Sequence, residues 1–322
     1  MTQQDQRIHG GPDASGAAQF DFSSNSNACG PCPTALEAIQ QADATRYPDA
    51  SYTALRGQLA AFHGVNVQRI VLAASASEFI FRITVMVVNR GGNSVGLPPH
   101  SYGDYAQAAA AHGLKVVDSK AADLCWACEP SSPLGAAHQA WLGSHSAVQV
   151  LDRAYEPLRL KGVFAHAVDL DNFWQLFSPN KALGLTGVRA AYAIAPVDAA
   201  ADVDTMKQLC PSWPIGAHGV AMLEAWTGSE SQVWLASSLG TLRLWKTQQM
   251  ALCESFDWTI LPSLANFFVC RAEIDLAALR QHGIKLRDCT SFGLPGHVRL
   301  SVQPPAAQDA LHNAWQQIKG MT

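Results

Sequence analysis

The chain has 322 residues, of which 48% are hydrophobic and 15% are charged, and its net charge is −4. This composition predicts a globular chain with one large domain or two unequal ones, and it excludes an intrinsically disordered protein. The weak negative charge predicts no general affinity for nucleic acid or an anionic membrane. An anionic ligand therefore needs a local binding site.

The sequence predicts neither export nor membrane insertion. Residues 1–16 contain no basic segment followed by an apolar run, so no signal peptide is expected. The longest apolar stretch, Phe79–Val88, is interrupted by Arg82 and is too short to span a bilayer. We therefore expect a cytoplasmic protein.

Segments with helical spacing alternate with short apolar runs over the first two-thirds of the chain. In order, the pattern predicts helices Thr34–Ala44 and Tyr52–Gly64, strand Arg69–Ala73, helix Ser77–Val88, strand Ser94–Leu97, helix Tyr102–His112, and strands Lys115–Asp118, Ala147–Leu151 and Ala190–Ala195. This order predicts an α/β fold with a mostly parallel sheet and helices on both of its faces.

After about Pro211 the pattern changes. Two long amphipathic stretches, Gly219–Leu235 and Ser238–Ser255, precede predicted strands Phe267–Cys270 and Val298–Val302 and a closing helix, Gln308–Ile318. We interpret residues 30–215 as the large domain, and residues 1–29 together with 216–322 as a smaller α+β domain.

Two cysteine pairs have the spacing of metal ligands, Cys29/Cys32 and Cys125/Cys128. A zinc ribbon needs about 15–20 residues between its pairs, whereas roughly ninety separate these two. We therefore expect reduced thiols and no bound metal, with a zinc-binding protein as the alternative that metal analysis would test.

The segment FSPNKALGLTGVR carries the clearest chemical pattern. Lys181 lies in a turn of small residues, and Arg189 follows eight positions later. Upstream, Asp152 ends an apolar strand, and Tyr155 follows three residues on. Pyridoxal phosphate needs a lysine for its aldehyde, a carboxylate for its pyridinium nitrogen and a hydroxyl for its phenolic oxygen.

The cofactor's phosphate also needs hydroxyl groups, an arginine and preferably a helix N-terminus. The turn Ser75–Ala76–Ser77 lies between a predicted strand and a predicted helix and offers two hydroxyls. Each of these features alone is a weak signal for a binding site. Together, however, they predict a pyridoxal-phosphate site at the carboxyl ends of the strands.

These motifs resemble the fold-type I pyridoxal-phosphate enzymes of the class I/II aminotransferase family. The nearest branch holds histidinol-phosphate aminotransferase and L-threonine-O-3-phosphate decarboxylase. The resemblance implies a large domain with a mostly parallel sheet, a smaller α+β domain, and a homodimer with shared active sites. It covers nearly the whole chain.

The resemblance also implies a role for each motif residue. Lys181 would be the Schiff-base lysine, Asp152 the pyridinium partner and Tyr155 the ligand of the phenolic oxygen. The phosphate ligands would be Ser75, Ala76, Ser77, Ser178 and Arg189. Tyr102, in PPHSYGDY, would stack on the ring, Tyr47, in RYPD, would reach the partner subunit's cofactor phosphate, and Arg299 would bind the acidic group of the substrate. Ordinary core packing for Tyr102 and a surface position for Arg299 are the alternatives.

Two positions depart from the family pattern. Ser132 stands where the family usually has an asparagine that bonds the phenolic oxygen, and Asn180 replaces a small hydroxyl residue before Lys181. The segments containing His9 and DFSSNSN resemble the start of the threonine-phosphate decarboxylase branch. This resemblance implies that Asn27, with Asn25, contacts the substrate.

The resemblance leaves the reaction open. Transamination of a small amino substrate that carries a phosphate or carboxylate, as in amino-acid biosynthesis, is the first hypothesis. Decarboxylation of threonine phosphate in cobalamin biosynthesis is the second, because the substrate bond that lies perpendicular to the cofactor ring is the one that breaks. A catalytically idle relative that binds a ligand or partner is the third, and the presence of Lys181, Asp152 and Arg189 disfavours it.

Overall fold

A computed structural model describes residues 9–138, 147–164 and 169–320. Its strands are β1 Phe20–Asp21, β2 Ile70–Ala73, β3 Ser94–Gly96, β4 Lys115–Val117, β5 Leu124–Cys128, β6 Val148–Asp152, β7 Trp174–Phe177, β8 Ala191–Ile194, β9 Thr259–Ile260, β10 Phe267–Arg271, β11 Ile284–Lys285, β12 Arg287–Asp288 and β13 His297–Ser301. Its helices are α1 Pro33–Gln41, α2 Thr53–His63, α3 Ala76–Asn89, α4 Gly103–Ala111, α5 Ala200–Gln208, α6 Ala217–Thr227, α7 Ser229–Ser255, α8 Leu276–Gln281 and α9 Pro305–Gly320.

The predicted parallel sheet is confirmed. Seven strands lie in the order β2-β8-β7-β6-β5-β3-β4, and only β8 runs antiparallel to its two neighbours among the described residues. Strands β5, β6 and β7 are adjacent and parallel, so their carboxyl ends meet at one edge of the sheet.

Helices cover both faces of this sheet because the buried strands are apolar on both sides. In β2, Val71 and Ala73 pack against α3, α4 and α5, whereas Ile70 and Leu72 pack toward α2, α6 and α7. This division follows the two-residue period of a strand. A sheet buried on both faces has continuous apolar strands and little alternation in its sequence.

The C-terminal third forms a second, antiparallel sheet in the order β12-β13-β10-β9. The N-terminal strand β1 pairs in parallel with β11, at Phe20–Ile284 and Asp21–Lys285. The division into domains 30–215 and 1–29 plus 216–322 stays a prediction. Side chains of α6 and of the first half of α7 pack in the core beneath the large sheet.

The structure corrects two parts of the predicted pattern. The two amphipathic stretches are divided at Gly228, whose extended backbone (ψ 142°) ends α6 and begins α7, and α7 then runs unbroken through the predicted gap at 236–237. Glycine disfavours a helix interior, whereas Ala236 and Ser237 do not stop one. Strands β5 (LCWAC) and β7 (WQLF) were missed because neither contains the β-branched residues that mark a short buried strand such as β2 (IVLA).

Across the described ranges, no helix has the length and apolar character needed to cross a membrane. The same ranges contain no group of three or more His, Cys, Asp or Glu side chains that could hold a metal ion. Cys125 and Cys128 lie within β5, in the interior of the large sheet.

Candidate active site

The carboxyl edge of the large sheet brings the predicted acid and the predicted lysine together. Asp152 is the last residue of β6, and Ser178 directly follows β7, the next strand in the sheet. Lys181 lies in the turn after Ser178. Two local sequence signals separated by almost thirty residues therefore meet because their strands are neighbours.

Asp152 is buried, with 5% of its surface exposed. Its Oδ2 accepts a hydrogen bond from the Tyr105 hydroxyl at 2.6 Å, and its Oδ1 accepts one from the Ala154 amide at 2.9 Å. Burial raises the pKa of Asp152, and the Tyr105 hydrogen bond, the Ala154 amide and the Lys181 charge oppose that rise. A cation opposite this carboxylate would offset the effect of burial.

Tyr105 is held in place by aromatic stacking. Its ring lies parallel to that of Trp126, with 4.2 Å between the centroids and 11° between the planes. Sequence reasoning missed Tyr105, although it lies three residues after Tyr102, a spacing that puts both on one side of α4. The two rings meet edge to face at 5.8 Å.

Lys181 projects from a turn that we define as the lysine turn, Ser178–Leu185. The Lys181 Nζ lies 3.4 Å from the Ser178 Oγ and 5.6 Å from the centre of the Tyr155 ring. The structure therefore groups Lys181, Ser178 and Tyr155 as the motif predicts.

Asn180 stabilises the lysine turn from within. Its Oδ1 accepts a hydrogen bond from Ser178 Oγ at 2.8 Å, and its Nδ2 donates to the carbonyls of Thr186 and Val188. Asn180 is the residue that departs from the family pattern, in which a small hydroxyl residue precedes the lysine. Its side chain fixes the segment that follows Lys181.

The predicted phosphate turn is the N-terminus of α3. Ser75 caps this helix, since its Oγ accepts a hydrogen bond from the Glu78 amide at 3.1 Å. The Ser77 Oγ lies 3.2 Å from the Tyr102 hydroxyl. A helix N-terminus favours an anion through its amides and its dipole.

Arg189 has an exposed side chain just before β8. Because Ala73 pairs with Ala191 in antiparallel register, continuing that register past the strand ends places Arg189 opposite Ser75. The fold thus brings the predicted arginine to the same end of the sheet as the serine turn.

Arg299 lies on β13 and is buried, so the alternative surface position is wrong. Its Nη2 donates to the Ser23 carbonyl at 3.0 Å, and its Nη1 lies 3.4 Å from the Ser132 Oγ. Its guanidinium also lies over the Phe267 ring, which meets Tyr155 edge to face at 4.9 Å. Burial lowers the pKa of Arg299, and the nearby Tyr155, Cys289 and Asp21 side chains oppose this effect.

A second buried arginine, Arg287, was not identified from the sequence. Arg287 on β12 pairs with Arg299 in the strand register, is 4% exposed, and lies over the Phe292 ring that Arg299 also faces. Burial and the charge of Arg299 lower the pKa of Arg287. Arg287 and Arg299 are thus buried guanidinium groups on paired positions of neighbouring strands. Two such groups side by side favour an anionic ligand. Arg287 could not be identified from the sequence because its position depends on the register of β12, a strand of two residues, against β13.

The segment Ser23–Asn27 runs between Arg299 and the lysine turn. The Asn27 amide donates to the Lys181 carbonyl at 2.9 Å, and its Nδ2 donates to the Ala182 carbonyl and to Ser238 Oγ. These contacts are all to the protein, so the assignment of Asn27 as a substrate ligand stays a prediction. Asn25 is buried, and neither of its polar side-chain atoms has a hydrogen-bond partner among the described residues.

Tyr47 lies on the surface, away from the buried groups of its own chain. It is 78% exposed and stacks on Trp213, which is 41% exposed, with 4.5 Å between the ring centroids. The Trp213 indole donates to the Pro48 carbonyl at 3.0 Å. His9 is also exposed, and its ring lies 6.2 Å from that of Tyr102.

This arrangement of a mostly parallel sheet, a small antiparallel sheet and a lysine turn beside a buried aspartate defines the fold-type I class. The sequence matches the family "Aminotransferase class I and II" over residues 17–125 and 143–318. The chain belongs to this family.

Individual relatives agree with this assignment. A histidinol-phosphate aminotransferase of Halorubrum lacusprofundi is 27% identical over 315 residues, which cover 87% of this chain and 83% of the relative. The crystal structure of histidinol-phosphate aminotransferase from Sinorhizobium meliloti in complex with pyridoxal-5'-phosphate has a TM-score of 0.77 and 21% identity, covering 93% of this chain and 90% of that one. L-Threonine-O-3-phosphate decarboxylase from Porphyromonas gingivalis has a TM-score of 0.76 and 19% identity, covering 93% and 99%.

Proposed function

We propose that the chain is a pyridoxal-phosphate-dependent aminotransferase, similar to histidinol-phosphate aminotransferase, that acts on a small amino substrate with an anionic group. The observation that carries this proposal is the buried carboxylate of Asp152 at the end of β6, next to the lysine turn after β7. The family and the curated relative support the same reaction class.

The residues fit the cofactor on physical grounds. Burial raises the pKa of Asp152, and a protonated ring nitrogen would be a cation that offsets this effect. Ser75, Ala76 and Ser77 at the start of α3, with Ser178 and Arg189, would hold the phosphate. Tyr102 would face the ring, and Tyr155, with Ser132, would lie toward its phenolic oxygen. When bound, pyridoxal phosphate supplies an aldehyde for amines and an electron sink.

The chain's own residues would then bind and orient the substrate. Arg299, assisted by Arg287, binds the acidic group and fixes the position of Cα. Asn25 lies in the segment between Ser23, which contacts Arg299, and Asn27, which contacts Lys181, and it supplies a buried amide that has no hydrogen-bond partner among the described residues. The Lys181 amine would take the proton from the substrate's Cα as a general base and would donate it, as a general acid, to C4′ of the cofactor.

The proposal includes a cytoplasmic homodimer with shared active sites. Two stacked aromatic rings exposed on the surface, Tyr47 and Trp213, favour coverage by a second subunit. All eight cysteines are free thiols, which is typical of a reducing compartment. Light scattering should give the mass of a dimer, and a fully active monomer would contradict this part.

Decarboxylation of threonine phosphate is the second candidate, and the N-terminal segment favours it. The Gly11 amide donates to Ser23 Oγ at 2.9 Å, and Lys285 and Arg280 both bind Asp13. The segment that follows His9 is thus anchored to Ser23, whose carbonyl accepts a hydrogen bond from Arg299. A residue held there would influence which substrate bond stands perpendicular to the ring.

The reaction is tested with two substrates in parallel. The purified protein is loaded with pyridoxal phosphate and incubated with histidinol phosphate plus 2-oxoglutarate, and separately with L-threonine-O-3-phosphate. Glutamate from the first mixture is the expected result. Carbon dioxide from the second without glutamate from the first would replace the aminotransferase by the decarboxylase. Product from neither would reject both substrates. Lys181→Ala is the matched control for both mixtures.

A further inference from the structure

A cysteine pair lies against the lysine turn. Cys29-Gly30-Pro31-Cys32, which we call the CGPC turn, leads directly into α1, and Cys32 occupies the N-cap position of that helix. Two cysteines separated by two residues at a helix N-terminus are typical of dithiols that exchange disulfides. Cys29 is half-buried and Cys32 is buried, and both are free thiols.

Backbone contacts join the CGPC turn to the lysine turn. The Cys32 amide donates to the Leu183 carbonyl at 2.8 Å, and the Asn27 amide, just before the CGPC turn, donates to the Lys181 carbonyl at 2.9 Å. Gly184 has a φ of +71°, and a Cβ placed there would lie 2.5 Å from the Gly30 carbonyl oxygen. The two backbones are therefore in direct contact, so a change of shape in the CGPC turn would disturb these contacts with the lysine turn.

The two sulfur atoms are held apart by α7. The Cys29 Sγ lies 3.6 Å from the Ser238 carbonyl oxygen, and the Cys32 Sγ lies 3.6 Å from the Ser231 Oγ. Ser231 and Ser238 are two helical turns apart, about 10 Å along the axis. A disulfide needs sulfurs about 2 Å apart, so at least one sulfur must leave its contact, and the CGPC turn must change shape.

We propose that Cys29 and Cys32 form a redox-active dithiol, oxidised by exchange with a small disulfide such as glutathione disulfide, and that the oxidised form displaces the lysine turn. The Cys29 thiolate attacks one sulfur of the external disulfide, and one thiol leaves. The Cys32 thiolate then attacks the Cys29 sulfur, and the second thiol leaves. The protein loses two protons and two electrons, which the external disulfide gains as it becomes two thiols.

Exposure sets the order of these steps. Cys29 meets the external disulfide first, because Cys32 is covered by α7. Burial raises the pKa of Cys29, so less thiolate is present at neutral pH. Oxidation should therefore become faster as the pH rises.

The other cysteine pair is a control within the same chain. Cys125 and Cys128 have the same spacing but lie on β5, where residues three apart are about 10 Å apart and point to opposite faces. This exceeds the Cα separation of about 7 Å that a disulfide tolerates. Burial also raises the pKa of Cys125 to about 11.

The test uses the full-length protein in glutathione buffers of increasing oxidised fraction. Free thiols are alkylated, and the masses of the peptides are measured by mass spectrometry. We expect the peptide with Cys29 and Cys32 to lose two hydrogens, reversibly with dithiothreitol, whereas Cys125 and Cys128 stay alkylated. Amide hydrogen exchange in peptides covering Ser178–Leu185 should become at least tenfold faster on oxidation. Cys29→Ser and Cys32→Ser should abolish both changes, and Cys125→Ser should abolish neither.

Both readouts are independent of turnover, so they decide this proposal even if the proposed reaction is wrong. Absence of the Cys29–Cys32 disulfide in the most oxidising buffer would overturn it. A disulfide that forms without changing hydrogen exchange in the lysine turn would overturn the coupling between the two turns.

Discussion

Removing the hydroxyl of Tyr105 isolates the electrostatic role of Asp152. Tyr105→Phe keeps the ring that stacks on Trp126 and deletes the hydrogen bond of 2.6 Å to the Asp152 carboxylate. A hydrogen bond to a charged group contributes about 1.5–3 kcal/mol, and one pKa unit corresponds to about 1.4 kcal/mol. The pKa of Asp152, already raised by burial, should therefore rise further, because the ionised carboxylate loses the stabilisation that the Tyr105 hydroxyl gives it.

The consequence is a weaker anion opposite the cofactor ring. Because the active form needs Asp152 ionised, the acidic limb of the kcat profile should move to higher pH, and kcat on that limb should fall by about tenfold for each 1.4 kcal/mol of lost stabilisation. The assay is steady-state kinetics from pH 5 to pH 9, together with the visible absorbance of bound cofactor.

Tyr192→Phe is the matched control. Tyr192 is equally buried, and its hydroxyl is bonded to His63 and Trp226 and not to Asp152. This variant should lose stability and keep the wild-type pH profile. An unshifted profile in Tyr105→Phe would refute the role assigned to its hydroxyl.

Three further predictions follow from particular contacts. Asp152→Ala should retain part of the bound cofactor and lose kcat at least a hundredfold, and full activity would disprove the pyridinium assignment. Arg299→Lys keeps the charge but loses the planar fork, so kcat/KM for the anionic substrate should fall about 10–100-fold. Arg271 is the exposed last residue of β10, so Arg271→Lys should change kcat/KM little. Burial lowers the pKa of His63 to about 4, so its contribution to stability is complete above its unfolded pKa of about 6.5 and is lost as the pH falls toward 4. Between pH 7.5 and 5, urea unfolding should show a loss of about 1–2 kcal/mol that is smaller in His63→Gln, and equal losses in both proteins would contradict this linkage.

The strongest parts of the sequence prediction concern local patterns. The alternation of apolar runs and helical segments predicted the parallel sheet because burial on both faces leaves a direct trace in composition. Asp152 was predicted at the end of an apolar strand, and it is the last residue of β6. Strand β7, which precedes Lys181, was missed, so Lys181 was predicted only from its turn of small residues. Ser75 was predicted in a turn between a strand and a helix, and it is the N-cap of α3.

Contacts between distant segments could not be predicted. Tyr105 reaches Asp152 only because α4 packs against the sheet, and nothing in SYGDY indicates its partner. Arg287 meets Arg299 through the register of a strand two residues long. The hydrogen bonds from Asn27 and Cys32 to the lysine turn join residues about 150 positions apart. Such pairs depend on tertiary packing, which overrides local preference.

The most direct test of the central claim is the absorbance of the purified protein after pyridoxal phosphate is added and the excess is removed. We expect the wild type to retain about one cofactor per chain, with a visible band that borohydride reduction fixes covalently at Lys181, as peptide masses would show. Lys181→Ala should give no covalent label. Absence of the band in the wild type, or a label at another lysine, would contradict the assignment of Lys181 and the function built on it.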